Sequence, residues 1–434
     1  MDHVVSRLLA HDRIRAARHH IERTDEVTLG RQAALSAIPA PTGAEGRRAG
    51  RMAELFREVG LTEVTLDRAG NVHGWLRVNG HTTGLGETTD VGETTDVGRT
   101  TDVGAQHAPP LPGPVVLAAH LDTVFGAEVD VSVERRSQRL EGPGISDNAR
   151  GLAALVAVAE AMVVARVPTR RSILFAATVG EEGSGDLRGV KYLLNGKHTV
   201  GAPHAVAPAA FIALDGAGLE RVIHRALGSR RYHVTFRGPG GHSWAAFGVA
   251  NPANAVGRAA ALLADLPTQQ APRTTCAVVR LGGGTGLNSI PQEAWLDLDL
   301  RSEDPRALSQ LDVTVRTALD RACDDENRRR AADTPALRLD IQLLGDRPSG
   351  ITPRAHPLVQ AAVAANRALG RDAELTSAST DANVPIALGI PAIALGAGGK
   401  AGDAHLATEW FENVEGALGI VRALLVTAAM AEVV

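Results

Sequence analysis

Five short segments of the chain bring imidazoles and carboxylates to positions where a folded protein can hold ligands. His120 and Asp122 follow the apolar run Val115–Ala119 in VVLAAHLDTVFG. Asp147 stands in GISDNARGLAAL, Glu181 and Glu182 follow ILFAATV, Asp215 ends AAFIALD, and His405 lies in GAGGKAGDAHLATEW. Each falls at the end of a strand-like segment or in a glycine-bearing loop, where a rigid scaffold fixes the side chain and solvent still reaches it. Two imidazoles, three carboxylates and one further Glu are the parts of a site for two divalent cations. Ions about 3.5–4 Å apart would clamp an attacking hydroxide and polarise a substrate carbonyl. One carboxylate must bridge them, other His and carboxylate groups complete each ion, and a free Glu serves as general base. Neighbours in extended chain point different ways, so one of Glu181 and Glu182 can bind metal while the other faces the water. Asp122 is placed to receive the second ring N–H of His120, the usual support for a ligating imidazole.

Taken singly, these residues have plainer readings. Asp147 before an Ala-rich helix would cap it. Glu181-Glu182 would be a solvated loop, Asp215 a turn residue, and His120-x-Asp122 a polar pair at a strand end. Their order, spacing and shared strand-end context favour the metal site for the set. There is no Gly-x-Ser-x-Gly elbow and no reactive Cys setting, which disfavours serine or thiol hydrolysis. The Gly stretches at 282–284 and 396–399 lack the Lys-Ser/Thr and strand-to-helix context of a nucleotide loop.

The elements that must position this chemistry are legible in outline. A chain of 434 residues is long for one core, so two domains are expected. A net charge of -4 argues against a nucleic-acid or anionic-membrane partner. No apolar run approaches the roughly 20 residues of a membrane span. The charged N-terminal stretch lacks an apolar signal region, and two cysteines give no disulfide framework, so a cytoplasmic location is expected. Strand-like VVLAA, ILFAATV and AAFIALD alternate with helical segments, notably 148–165, implying an α/β fold whose mainly parallel sheet is covered by helices on both faces. Functional residues in such sheets gather at the carboxyl ends of the strands. From about 228 the pattern becomes β-α-β-β-α-β: a strand at 231–238, a helix at 251–266, two alternating strands, a helix from about 305 to 329, and a strand at 336–344. Residues 228–345 therefore read as an inserted ferredoxin-like α+β domain, splitting a catalytic domain into 1–227 and 346–434. A hexapeptide repeat, GETTDV-GETTDV-GRTTDV, occupies 86–104 within a segment (80–112) read as a flexible insertion.

The combination resembles the cocatalytic zinc metallopeptidases that include peptidase T, glutamate carboxypeptidase, aminoacylase and acetylornithine deacetylase. That resemblance implies His120 as a metal ligand with Asp122 supporting it, Asp147 as the bridge, Glu181 as general base and Glu182 as ligand. Asp215 would complete the site of His120, and His405 that of Glu182. It also implies that the inserted domain is a lid that forms a homodimer, with His242 of GPGGHSWAAF reaching the partner's active site to stabilise the oxyanion. Asn288 of GGGTGLNSIP and Arg301 of LDLDLRS match lid motifs that hold substrate carboxylate or amide groups. The stretch STDANVPIALGIPAIALGAGG resembles the peptidase-T-like branch, where Gly396 and Gly398 would line the substrate loop. Two departures stand out: Asn148 follows Asp147 where Asp or Lys is usual, and Leu406 follows His405 where Ser or Thr is common. An Asp at 215 follows the peptidases of the family; its deacylases tend to carry Glu.

The expectation is an enzyme hydrolysing di- or tripeptides with two divalent ions, zinc before cobalt or manganese. Alternatives are a deacylase or carboxypeptidase acting on N-acyl amino acids with the same metals, and a non-catalytic metal- or peptide-binding protein.

Overall fold

The computed structural model describes residues 1–78, 113–194, 208–267 and 269–434. The hexapeptide repeats, and the whole of the expected 80–112 insertion, lie outside the described residues.

Four all-apolar or nearly apolar strands form the centre of the molecule. Val115–His120 lies between Ile173–Thr178 and Ala210–Leu214, and Ala392–Leu395 follows, all four parallel and buried along their length. The edges of this nine-stranded sheet run antiparallel: Thr62–Leu66 and Val72–Leu76 on one side, Arg221–Ala226 and Gly350–Ile351 on the other. Glu374–Ala378 also pairs with Arg221–Ala226, in parallel. Both faces are covered, which explains why the central strands read as continuous apolar runs. Val115, Leu117 and Ala119 pack into one core with the helices Ala149–Val164 and Gly416–Met430. Val116 and Ala118 point the other way, into a core with Val190 and Leu193 of the helix Arg188–Leu194. This is the two-residue period of a strand dividing its side chains between two layers.

A second, wholly antiparallel sheet has its own core. Its order is Gln269–Gln270, Arg273–Gly283, Glu293–Ser302, Gly228–Arg237, Arg338–Arg347. Leu296, Leu298 and Leu300 join Val234 and Phe236 under the helices Pro252–Ala264 and Pro305–Asn327. The β-α-β-β-α-β order read from the sequence is present, with the last strand running three residues further, to Arg347.

A third sheet was not anticipated. Glu134–Arg136, Arg139–Glu141, Trp410–Glu412 and Lys400–Gly402 pair antiparallel, joining segments far apart in sequence. It carries the loop that holds His405. Among the described residues no helix is long and apolar enough to cross a membrane.

Candidate metal centre

Three strand ends and two loops converge on one cluster. His120 is the last residue of its strand, and Thr178, two residues before Gly180-Glu181, is its parallel neighbour. Asp215 follows Ala210–Leu214, the strand on the other side. The turn Gly142–Asn148 brings in Asp147, and the peptide between Asp147 and Asn148 is cis. Asn148, not Asp147, caps the following helix: its side-chain oxygen accepts from the Gly151 N–H at 3.1 Å. Its amide donates to the Leu214 carbonyl at 2.9 Å, tying that helix start to the strand that ends beside Asp215. The capping job is thus done by the neighbour, and the Asp147 carboxylate is left for the cluster.

Its two oxygens face different partners. Oδ1 lies 3.0 Å from His120 Nε2, whereas Oδ2 lies 3.1 Å from His405 Nε2. Asp215 Oδ1 is 3.8 Å from His120 Nε2, and Glu182 Oε1 is 3.3 Å from His405 Nε2. Two triads result, His120–Asp147–Asp215 and Asp147–Glu182–His405, each with ligand atoms within 4.8 Å of one another. They share Asp147. Both triads join imidazole nitrogen to carboxylate oxygen, a donor set that suits zinc and other divalent first-row ions. Asp147 Oδ1 is buried without a hydrogen-bond partner of good geometry, as expected of an atom meant for an ion.

The electrostatics match this composition. Burial alone would raise the Asp147 carboxyl, but the neighbouring imidazoles of His120 and His405 draw it far below the ordinary range. Hydrogen bonds to Asp147 and Glu182 push the His405 imidazole up to about 10. His120 also rises well above its usual value, since contacts with Asp122, Asp147 and Asp215 outweigh burial. The carboxylates draw positive charge into the site, and a divalent cation satisfies the same demand.

Glu181 also comes within 4.8 Å of His120 and Glu182, and its surroundings differ from those of the other carboxylates. Burial raises its carboxyl well above the ordinary range, opposed by the His120 and Arg347 cations and reinforced by Glu182 and Asp215. Its Oε1 accepts from Arg347 Nη1 at 3.2 Å, and its backbone carbonyl accepts from Arg347 Nη2. Asp122 organises both glutamates from beneath. Its oxygens accept the Glu181 and Glu182 N–H groups at 2.9 Å each and the Thr42 hydroxyl at 2.8 Å. Oδ1 is 3.6 Å from His120 Nδ1, which lies nearer the Asp122 carbonyl at 3.1 Å. Burial opposes the ionised form of Asp122, yet these contacts bring its carboxyl down to about 2.

Glu409, fully buried, performs the matching task for the Asp147 turn. It accepts from the Ser146 N–H and hydroxyl at 2.8 and 2.6 Å, the Asp147 N–H at 2.8 Å and the Gly144 N–H at 3.0 Å. The sequence offered only its nearness to His405 as a signal.

Two grooves border the cluster. One, of about 390 Å³, is lined by Asp147, Glu181, Glu182, Asp215 and His405 together with Arg231, Arg301 and Arg347 of the second sheet. The second, of about 570 Å³, opens past Asp147 and Asp215 towards Glu220, Lys400 and Trp410. Arg301, expected at the substrate, does line the first groove. His242 and Asn288 line neither; they are exposed at a separate two-stranded pairing of Gly241–His242 with Ser289–Ile290, where Ser243 N–H donates to the Asn288 carbonyl at 2.9 Å. Gly396 and Gly398 are packed against backbone: an added Cβ would lie 2.2 Å from the Ala217 carbonyl oxygen and 2.3 Å from that of Gly416, respectively. Gly399 is the residue of that stretch that opens onto a groove. Arg231 and Arg347 were not singled out in the sequence.

Residues 116–431 match the model of peptidase family M20/M25/M40. The chain belongs to that family and is a hydrolytic enzyme. Solved structures share its fold over nearly its whole length. Aminopeptidase PepT of Bacillus cereus superposes with a TM-score of 0.69 at 18% identity, covering 94% of this chain and 99% of that one. A tripeptidase of Staphylococcus aureus gives 0.70 at 18% identity, covering 93% and 98%. The dipeptidase Dug1p of Saccharomyces cerevisiae gives 0.68 at 13% identity, covering 97% and 99%. No curated protein sequence matches this chain significantly.

Proposed function

We propose that this enzyme hydrolyses the amide bond of short peptides with a free amino terminus, using two divalent metal ions. The observation that carries the reading is the division of Asp147, with one oxygen 3.0 Å from His120 and the other 3.1 Å from His405. His120 and Asp215 would hold one ion, Glu182 and His405 the other, and Asp147 would bridge them. When bound, such a pair supplies Lewis acidity to the scissile carbonyl and acidifies the attacking water.

Glu181 takes the proton of that water and returns it to the leaving nitrogen. Its burial suits this task, because a carboxylate out of water is a stronger base than an exposed one. Asp122 keeps His120 oriented and fixes the backbone from which both glutamates spring. The second sheet is the lid, and we infer a homodimer in which His242 donates to the oxyanion in the partner's site. Its exposure, outside both grooves, fits a group that acts on another subunit. Asn288, beside it, would contact substrate from the same two-stranded pairing.

The test is amine release from di- and tripeptides and from N-acyl amino acids, with zinc, cobalt or manganese supplied. Cleavage confined to free amino termini supports the proposal. Cleavage of acylated substrates alone would make the enzyme a deacylase or carboxypeptidase, and inactivity on both with metal bound would point to a binding role.

A further inference from the structure

The chain leaves its strand at Thr178 and turns at Gly180, whose φ of 64° lies in the left-handed region. The path from there decides where Glu181 points. Four successive N–H groups fix that path, and side chains accept all four. Val179 donates to Asn71 Oδ1 at 3.0 Å and Gly180 to Glu45 Oε1 at 3.0 Å. Glu181 and Glu182 donate to the Asp122 carboxylate at 2.9 Å each. A buried N–H must find an acceptor, and here three separate loops supply one where strand pairing has ended.

Glu45 is the acceptor whose own position does not explain its side chain. It stands at the start of the helix Gly46–Glu58, yet its carboxylate does not cap that helix. The carboxylate is buried and turned towards the Gly180 loop. Oε1 also accepts from the Gly43 N–H at 3.0 Å, and both oxygens accept from Arg188 Nη2, at 2.6 and 2.7 Å. Arg188 donates through Nη1 to the Ala69 carbonyl at 2.9 Å, and its backbone N–H meets the Gly180 carbonyl at 3.2 Å. Gly180 is thus gripped at its N–H and at its carbonyl, one residue before Glu181. The turn that carries Glu45 also reaches this loop a second way, through the Thr42 hydroxyl on Asp122 at 2.8 Å.

Resting on the assignment of Glu181 as the base, we propose that Glu45 is a positioning residue for it. By accepting the Gly180 N–H, Glu45 sets the direction in which Glu181 enters the site, while lining neither groove itself. An ionised acceptor makes that bond a strong one, and Arg188 balances its charge. Without it the buried Gly180 N–H is left unpaired, and the peptide must shift to find another partner. A misplacement of about 1 Å at a reacting group costs on the order of 100-fold in rate. His120, Asp147, Asp215 and His405 come from other segments, so metal and substrate binding do not depend on this bond.

The experiment compares Glu45→Ala with Glu45→Gln in the zinc-loaded enzyme. Both variants lose the ion pair with Arg188 and should melt at similarly lowered temperatures. Only Gln keeps an oxygen for the Gly180 N–H. In Glu45→Ala, kcat for alanyl-alanine should therefore fall on the order of 100-fold, with KM and zinc content close to wild type. Glu45→Gln should keep most of kcat. Hydrogen exchange reads the same bond without turnover: the Gly180 amide should lose protection in Glu45→Ala and keep it in Glu45→Gln. Equal kcat losses in the two variants would make general stability the cause and overturn the proposal. So would wild-type kcat in Glu45→Ala, unchanged protection of Gly180 there, or a rate loss accounted for by missing zinc. Wild-type turnover by Glu181→Gln would remove the base assignment itself, a failure seen without varying Glu45.

Discussion

Glu181 and Glu182 leave one turn in different directions, Glu182 towards His405 at 3.3 Å and Glu181 towards Arg347 at 3.2 Å. Substituting them should therefore produce different defects. Glu181→Gln is expected to lower kcat by about 10²–10⁴-fold with both metals retained, the usual contribution of a positioned base. Glu182→Ala and Asp147→Ala should instead lose metal, as read by elemental analysis, and full occupancy in either variant would remove it from the ligand set. Arg347 gives a prediction in pH. Its cation lowers the Glu181 pKa, and the base works only when ionised, so activity appears as pH rises through that pKa. Arg347→Met removes the lowering influence, so the acid limb of the kcat/KM profile should move to higher pH; an unmoved limb would mean that another group titrates. The candidate ligands were legible as one cluster because each follows an apolar run that reads as a buried strand or stands in a loop beside one. Arg231 was not: its neighbour Arg230 has the same side chain, yet Arg230 pairs with Asp312 at 3.0 Å and Asp346 at 3.3 Å. What separates the two is the face of the sheet, which becomes meaningful only when strands far apart in sequence are set in register.

At the scale of elements, the strands that carry the site differ in how loudly they announce themselves. Val115–His120 and Ile173–Thr178 are buried on both faces and read as apolar blocks. The strands Glu134–Arg136, Arg139–Glu141 and Lys400–Gly402 have three residues each, mostly charged or small, and offer no periodicity to detect. Pairing alone defines them, and Trp410–Glu412 is the link that joins the His405 loop to the segment leading into Asp147. Glu409 precedes that link and accepts four hydrogen bonds from the Gly144–Asp147 turn. Glu409→Gln cannot accept them equally, because its NH₂ group faces N–H donors. The variant should lose roughly 1.5–3 kcal/mol of stability, the size of one hydrogen bond to a charged group. It should also bind metal more weakly, because the carboxylate proposed as the bridge is no longer held. Calorimetric unfolding and metal titration measure the two effects; a stability loss with unaltered metal affinity would make Glu409 a purely structural support.

For the molecule as a whole, metal occupancy and subunit pairing are the quantities to vary. Removing metal with a chelator should abolish turnover and lower the melting temperature, and readdition should reverse both. An ion that binds only the folded state at a hundredfold excess over its Kd adds about 2.7 kcal/mol. The proposed dimer makes a separate prediction. Glu181→Ala and His242→Ala chains, each inactive alone, should regain about a quarter of wild-type activity after mixing and subunit exchange, because each mixed dimer then contains one intact site. No recovery, with mixed dimers demonstrated, would place His242 outside the chemistry. The order of the ligands along the chain has its own consequence for biosynthesis. Four of the five proposed ligands lie at or before Asp215, but His405 and the Glu409 brace come nearly two hundred residues later, after the entire second sheet. At roughly 5–20 residues per second, a ribosome takes at least several seconds to cross that interval. On the proposed ligand set, a nascent chain would display an unbraced acidic half-site able to meet one ion but not to pair two, and hydrolytic competence would arrive only once the His405 loop has emerged.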